Sequence, residues 1–210
     1  MDPRSDSYGH FFGRKQLISA FTGEPMDAVK TGMLGNEANI AQAAKMIQQQ
    51  QVKQVVIDPV IACKGTAHIL QPKSVDALIE YLLPLADVVT PNLIEAGILS
   101  GMGDLKDLVA MKEAAKRIYH LGAKCVVVKG GHRLPGAQAI DLVYDGHSFT
   151  TLESRRIDTD FNHGAGCTFF CSHYCWISKR AAVTRKHSLG QRLRRCGDST
   201  RGSDQSLCRS

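Results

Sequence analysis

"DVVTPNLIEAGILSG", residues 87–101, sets a short β-branched run directly against a helix. Val88, Val89 and Thr90 favour extended backbone. Pro91 has no N–H to give to a ladder and closes the strand. "LIEAGILSG" has helical spacing and ends on a glycine, the usual residue past a helix C-terminus. The reading is strand, sharp stop, helix.

Working outward, the same unit recurs. Upstream, "KQVVIDPV" (53–60) is a β-branched run stopped by Pro59, and "SVDALIEYLLPLA" (74–86) reads as helix. Downstream, "LVAMKEAAKRIYHLG" (108–122) reads as helix closed by glycine, and "AKCVVVKGG" (123–131) as a buried strand. Further out lie a short strand in "MDAVKTGM" (26–33) and a helix in "NEANIAQAAKMIQQQQ" (36–51), rich in good helix formers. "IDLVYDGHSFTTLES" (140–154) reads as an antiparallel hairpin turning at Asp145-Gly146. Residues 1 to about 23 show no clear period. Strands alternating with helices of this length predict a mostly parallel sheet with right-handed crossovers and an antiparallel edge.

The 210 residues suffice for one domain with a real core, and the 43% hydrophobic content is ordinary for a globular chain. No apolar run approaches the ~20 residues of a membrane span, and the polar opening "MDPRSDSYGHFFGRK" does not read as a signal peptide. The expectation is a cytoplasmic protein with no membrane partner. Seven cysteines at irregular spacing read as free thiols. The net charge of +6 is concentrated at one end. Residues 178–210 hold nine Lys or Arg against two Asp, so the preceding residues sum to −1. The basic character belongs to a tail predicted to lack a core period, and no specific nucleic-acid partner is expected.

In open α/β sheets, ligands bind beyond the carboxyl ends of the strands. Three strands end there on distinctive residues. One ends at Asp58, with Lys64 after it; one runs to Asn92, with Glu95 three residues on; one ends in Lys129, Gly130 and Gly131. Each piece alone also fits a turn or a solvated side chain. Gathered on one rim they suit phosphates and a cation, with Asp58 and Glu95 organising Mg²⁺ directly or through water. A fourth piece is "DFNHGAGCTFF" (160–170). Gly164, Ala165 and Gly166 let the backbone turn tightly before a helix start, where N–H groups point outward and favour negative charge. That field also lowers a thiol's pKa. The stretch suits holding an anion, activating Cys167, or both; the plainer reading is a tight turn before a buried, inert cysteine.

In this order, "KTGML", "DPVIACKG", "VVTPNLIEA", "VVKGGH" and "HGAGCTF" resemble the ribokinase-like vitamin kinases. The branch is that of the bacterial pyridoxine/pyridoxal kinases, related to the hydroxymethylpyrimidine (phosphate) kinases of thiamine synthesis. The resemblance runs from about Met26 to Thr168. It implies a three-layer α/β fold with helices on both faces of a mostly parallel sheet. It also implies ATP- and Mg²⁺-dependent phosphorylation of a hydroxymethyl group on a pyridine or, as the alternative, a pyrimidine ring. By the same resemblance Cys167 is the base toward the acceptor or bonds an aldehyde, and the amides of Gly164, Ala165 and Gly166 form an anion hole. Asn92 and the segment Lys129, Gly130, Gly131, His132 and Arg133 face ATP, Asp141 lies near the nucleotide, and Glu95 supports the Mg²⁺-phosphate cluster. Relatives of this kind suggest a homodimer.

Two departures from that pattern are expected to matter. The glycine-rich opening strand of such kinases has no counterpart, so the first strands and part of the acceptor pocket are expected to be missing, and residues 1–25 read as a degraded segment. After Thr168 the family's small-residue helix is replaced by "FFCSHYCWISKR" and a basic tail. The resulting domain reading is a partial kinase domain over 26–177 and a disordered tail over 178–210, as a frameshifted end would give; an inactive nucleotide-binding remnant is the third reading. His163, Cys167, Cys171, His173 and Cys175 mimic a zinc set, but a helical stripe of cysteines lacks the paired-knuckle spacing of zinc sites. Cys63 and Cys125 read as core thiols and His120 as a helix C-terminal residue.

Overall fold

The parallel pairings follow the sequence. In a computed structural model of the chain, which describes residues 15–22, 26–61, 72–131, 134 and 138–155, β1 (Ala28–Thr31) pairs with β2 (Gln54–Ile57). β2 pairs with β3 (Val88–Val89), and β3 with β4 (Val126–Lys129), all parallel. β4 then pairs antiparallel with β5 (Gln138–Tyr144), and β6 (Phe149–Arg155) follows at the end of the sheet. The order β1-β2-β3-β4-β5-β6 is therefore sequential. These elements belong to the unit Met1–Glu153, with the last two residues of β6 past its end.

Parallel neighbours laid side by side in one direction, with right-handed crossovers, put their connecting helices on the same face. The burial pattern agrees. Val55, Ile57, Val89, Val126, Val128, Leu142 and Tyr144 alternate onto one face and share a core with helical residues such as Ile40, Leu82, Met111 and Ile118. The residues between them, Val56, Val88, Val127 and Val143, point the other way and are also buried. Runs buried on both faces are what parallel strands require, and they explain why "VVI" and "VVV" do not alternate with polar residues.

The helix over residues 15–21 is α1, and three of the helices after it start where a side chain can satisfy one of their first amides. Asn36 opens α2 (Glu37–Gln49), its Oδ1 accepting from the Asn39 amide at 2.9 Å. Asp107 opens α5 (Leu108–His120), its Oδ1 accepting from the Ala110 amide at 2.7 Å. Such caps supply one of the otherwise unpaired N–H groups of a helix start. α4 (Leu93–Leu99) is capped by Asn92. α2 packs on α3 (Pro72–Ala77), and α5 on α4, β4 and β5.

The helix expected over 74–86 is not uniform. α3 passes into a π-helical turn, Leu78–Leu82, and a 3₁₀ turn, Leu83–Leu85. Pro84 is the cause. It offers no N–H, and its ring crowds the carbonyl four residues earlier, so the backbone widens and the Leu83 amide reaches back to the Leu78 carbonyl. The distorted stretch is retained because Leu78, Leu82 and Leu83 are buried there. Residues 15–21, which show no clear sequence period, are helical, and Phe21 packs against the core. The expected hairpin is present. The loop 145–148 turns at Gly146 (φ +90°), with Asp145 Oδ1 accepting from the amides of His147 and Ser148.

No helix among the described residues is long and apolar enough to cross a membrane. The zinc-like His/Cys set and the helix expected near Gly164 lie outside the described residues.

Candidate functional site

The register of the sheet assembles the site. Val56 pairs with Val88 and Ile57 with Val89, so the next pair along is Asp58 and Thr90. The ladder continues to that point, since the Thr90 amide donates to the Ile57 carbonyl at 3.0 Å. Lys129 pairs with Asp141 on one side and with Asn92 on the other. Laterally paired residues project to the same side of a sheet. Asp58, Thr90, Lys129 and Asp141 therefore share the face of Val56, Val88, Val127 and Val143, at the carboxyl ends of the parallel strands.

On that face the charges meet. Lys129 Nζ lies 3.0 Å from Asp58 Oδ1, and both side chains are largely buried. The pair bridges β2 and β4 across β3. Gly130 continues the row: its amide donates to Asp141 Oδ1 at 3.1 Å, and a β-carbon there would collide with the Ile140 carbonyl. Only glycine lets the backbone approach so closely. Gly131 follows with φ +56°, in the left-handed region that glycine adopts freely.

Glu95 is the second carboxylate, 3% exposed. It forms a capping box with Asn92: Asn92 Oδ1 accepts from the Glu95 amide (3.0 Å), and Glu95 Oε2 accepts from the Asn92 amide (2.8 Å). Its other oxygen, Oε1, accepts from the Ile61 amide at 3.2 Å, tying α4 to the segment after β2. Burial pushes the Glu95 carboxyl above its usual range and Asp58 adds to the push, whereas Lys129 and the two amides pull it back. Asn92 thus uses its carbonyl oxygen as a helix cap and keeps its amino group for another acceptor.

Three participants were not foreseen from the sequence. Thr90 is fully buried, and its hydroxyl has no hydrogen-bond partner among the described residues; its lateral pairing with Asp58 is the signal that would have found it. The Ile61 amide holds Glu95. Val60 has φ +40°, a conformation that β-branched residues rarely adopt and that costs about 1–3 kcal/mol. Cys125, read as a core thiol, is only partly buried and lies beside the core rather than in it, though burial and then Asp145 push its thiol up to about 12; Cys63 lies outside the described residues.

The structure thus brings together Asp58, Asn92, Glu95, Lys129, Gly130, Gly131 and Asp141. Lys64, His132, Arg133, Gly164, Ala165, Gly166 and Cys167 lie outside the described residues. Among the described residues no three His, Cys, Asp or Glu side chains cluster as a metal cage. Two carboxylates, a buried hydroxyl and close-approaching glycine amides form a donor set for a hard cation and phosphate oxygens rather than for a soft metal.

Known proteins resemble the chain in sequence and in fold. The chain is 49% identical over 170 residues to a pyridoxine kinase of Bacillus subtilis (strain 168), covering 81% of this chain and 63% of that protein. It thus spans less than two thirds of that relative's length. The structure resembles the Bacillus subtilis pyridoxal kinase in its ADP complex, with TM-score 0.78 and 47% identity over 85% of this chain and 67% of that one. It also resembles the Staphylococcus aureus pyridoxal kinase bound to AMP-PCP and pyridoxal, with TM-score 0.76 and 39% identity over 84% of this chain and 63% of that one. The fold expected from the sequence is the fold of these kinases. Residues 10–184, most of the chain, match the phosphomethylpyrimidine kinase family, and the chain belongs to that family.

Proposed function

We propose that this chain transfers the γ-phosphoryl group of ATP to the hydroxymethyl group of pyridoxine or pyridoxal. The observation that carries the reading is the gathering of Asp58, Thr90, Asn92, Lys129 and Asp141 on one face at the strand ends, beside the buried Glu95. Phosphoryl transfer asks for positioning and charge neutralisation more than for covalent chemistry. The kinase relatives solved with ADP, and with AMP-PCP and pyridoxal, support the choice of nucleotide and acceptor.

In this reading Asp58 and Glu95 would hold Mg²⁺, directly or through water, and the ion would supply charge neutralisation for phosphate oxygens. Two carboxylates are the count expected when substrate phosphates complete the coordination. Lys129 balances Asp58. The amino group of Asn92, the Gly130–Gly131 backbone, His132 and Arg133 bind the nucleotide, with Lys64 on its phosphates. Asp141 holds the Gly130 turn in place. The acceptor oxygen forms its bond to the γ-phosphorus as the bond to the ADP oxygen breaks, and the acceptor's proton passes to the Cys167 thiolate. The amides of Gly164, Ala165 and Gly166 stabilise the charge on the transferring group.

ATP turnover by the purified chain with pyridoxal and with hydroxymethylpyrimidine, run in parallel, tests the reading. Turnover with pyridoxal and its loss by about 10²–10⁴-fold in Cys167→Ala, with ATP binding nearly intact, is the expected result. Wild-type turnover in the alanine variant removes Cys167 as base. A pyrimidine acceptor is the second reading, favoured by the family the chain matches; preference for hydroxymethylpyrimidine would establish it. Nucleotide binding with no turnover of either acceptor would leave only a binding remnant.

A further inference from the structure

Val60 pays for a conformation its side chain does not reward. It follows Pro59 directly, its φ is +40°, and it is only partly buried and outside the main core. A β-branched residue released from its surroundings returns to negative φ. What holds it is the next residue: Ile61 is buried in the core, and its amide donates to Glu95 Oε1 at 3.2 Å. The two oxygens of Glu95 are held differently. Oε2 is pinned within its own helix start by Asn92, while Oε1 reaches a residue 34 positions away. An ordinary capping box needs only the first contact. The second ties the strained turn after Asp58 to the carboxylate beside the Asp58–Lys129 pair.

We propose that Val60 is a spring-loaded positioning residue: Glu95 keeps it in the left-handed region through the Ile61 amide, and a cation or phosphate-bound cation that draws Oε1 away lets the segment Asp58–Ile61 relax. Occupancy at Glu95 is thereby coupled to the orientation of Asp58, which lies two residues before Val60. The ligand half of this inference rests on the kinase reading; the mechanical half does not.

A double-variant cycle tests it. Thermal unfolding of the wild-type chain, Val60→Gly, Glu95→Gln and the double variant isolates the coupling. Glycine accepts positive φ without strain, and its cost in the unfolded chain is the same in both backgrounds and cancels. Val60→Gly is expected to be more favourable by about 2–4 °C in the wild-type background than beside Glu95→Gln. Hydrogen exchange at the Ile61 amide slows several-fold in Val60→Gly. The Mg²⁺ concentration for half-maximal ATP turnover rises in that variant, while the acceptor's KM stays fixed. Equal shifts in both backgrounds overturn the proposal, as does unchanged Ile61 exchange in Val60→Gly, which decides alone if Glu95→Gln does not fold. The expected coupling with no turnover of either acceptor by any variant would leave the spring standing and remove the kinase reading.

Discussion

Among the described residues, Lys129 is the cation that both Asp58 and Glu95 feel. It lies 3.0 Å from Asp58 and lowers the cost of charge on Glu95. Removing one partner of a buried pair leaves the other charge uncompensated. Lys129→Met should therefore cost about 3 kcal/mol in urea unfolding, and Asp58→Asn added to it should restore part of that loss. A double variant no more stable than Lys129→Met would show that the pair is not coupled. Glu95 gives a pH signature of definite sign. Its folded carboxyl sits above the reference value of 4.5, so its stabilising share is full below that value and is lost as pH rises through the raised folded pKa. The urea midpoint of the wild-type chain, measured against Glu95→Gln, should fall as pH rises from 4.5 toward neutrality. A difference that grows over that range would contradict the burial argument.

Among the elements, the turn after β4 and the start of α5 offer opposite extremes of tolerance. Gly130 has no room for a β-carbon beside the Ile140 carbonyl, so Gly130→Ala must push β4 and β5 apart. It should cost about 2 kcal/mol or more and loosen the Asp141 contact. Asp107→Ala removes one cap hydrogen bond at an exposed helix start and should cost only about 1 kcal/mol. Thermal unfolding of the two variants side by side checks the ranking, and a larger loss in Asp107→Ala would reverse it. The stretch Leu78–Leu85 belongs to the same scale. Its π and 3₁₀ turns bring Pro84 against Gly122, where a β-carbon would lie 2.9 Å from the Pro84 Cα. A single proline thus shapes both the end of one helix and the turn that launches β4.

For the molecule as a whole, nucleotide binding should appear as stability. A ligand that binds only the folded chain at 100 times its Kd adds about 2.7 kcal/mol. Mg²⁺ with ATP should raise the unfolding midpoint of the wild-type chain, and raise that of Asp58→Asn less; equal rises would place the nucleotide elsewhere. Much of this frame was legible in the residues. "VVID", "VVT" and "VVVK" announced buried parallel strands, and Pro59 and Pro91 marked where they stop. Asp58, Asn92, Glu95 and Lys129 stood out because they follow those strands. The pairing of Lys129 with Asp58 was not legible, because it depends on β2 and β4 flanking β3. Thr90 was hidden for the same reason: its neighbour is set by register and not by sequence distance. Val60 was invisible because a β-branched residue signals extended backbone, and only the pull of Ile61 and Glu95 overrides that preference. Pro84 stood in plain sight, but the burial of the leucines around it kept the chain helical past the point where a break was due.

The sequential strand order has a kinetic consequence. Ala28 meets Gln54, Val56 meets Val88, Val89 meets Val126, and Val126 meets Tyr144, so each strand docks on the one synthesised just before it. Loop-closure entropy grows only slowly with loop length, and none of the described strands waits for a partner beyond its neighbour in sequence. The sheet can grow in the direction in which the ribosome releases it. The rim at the strand ends is then finished only when the hairpin brings Asp141 alongside Lys129.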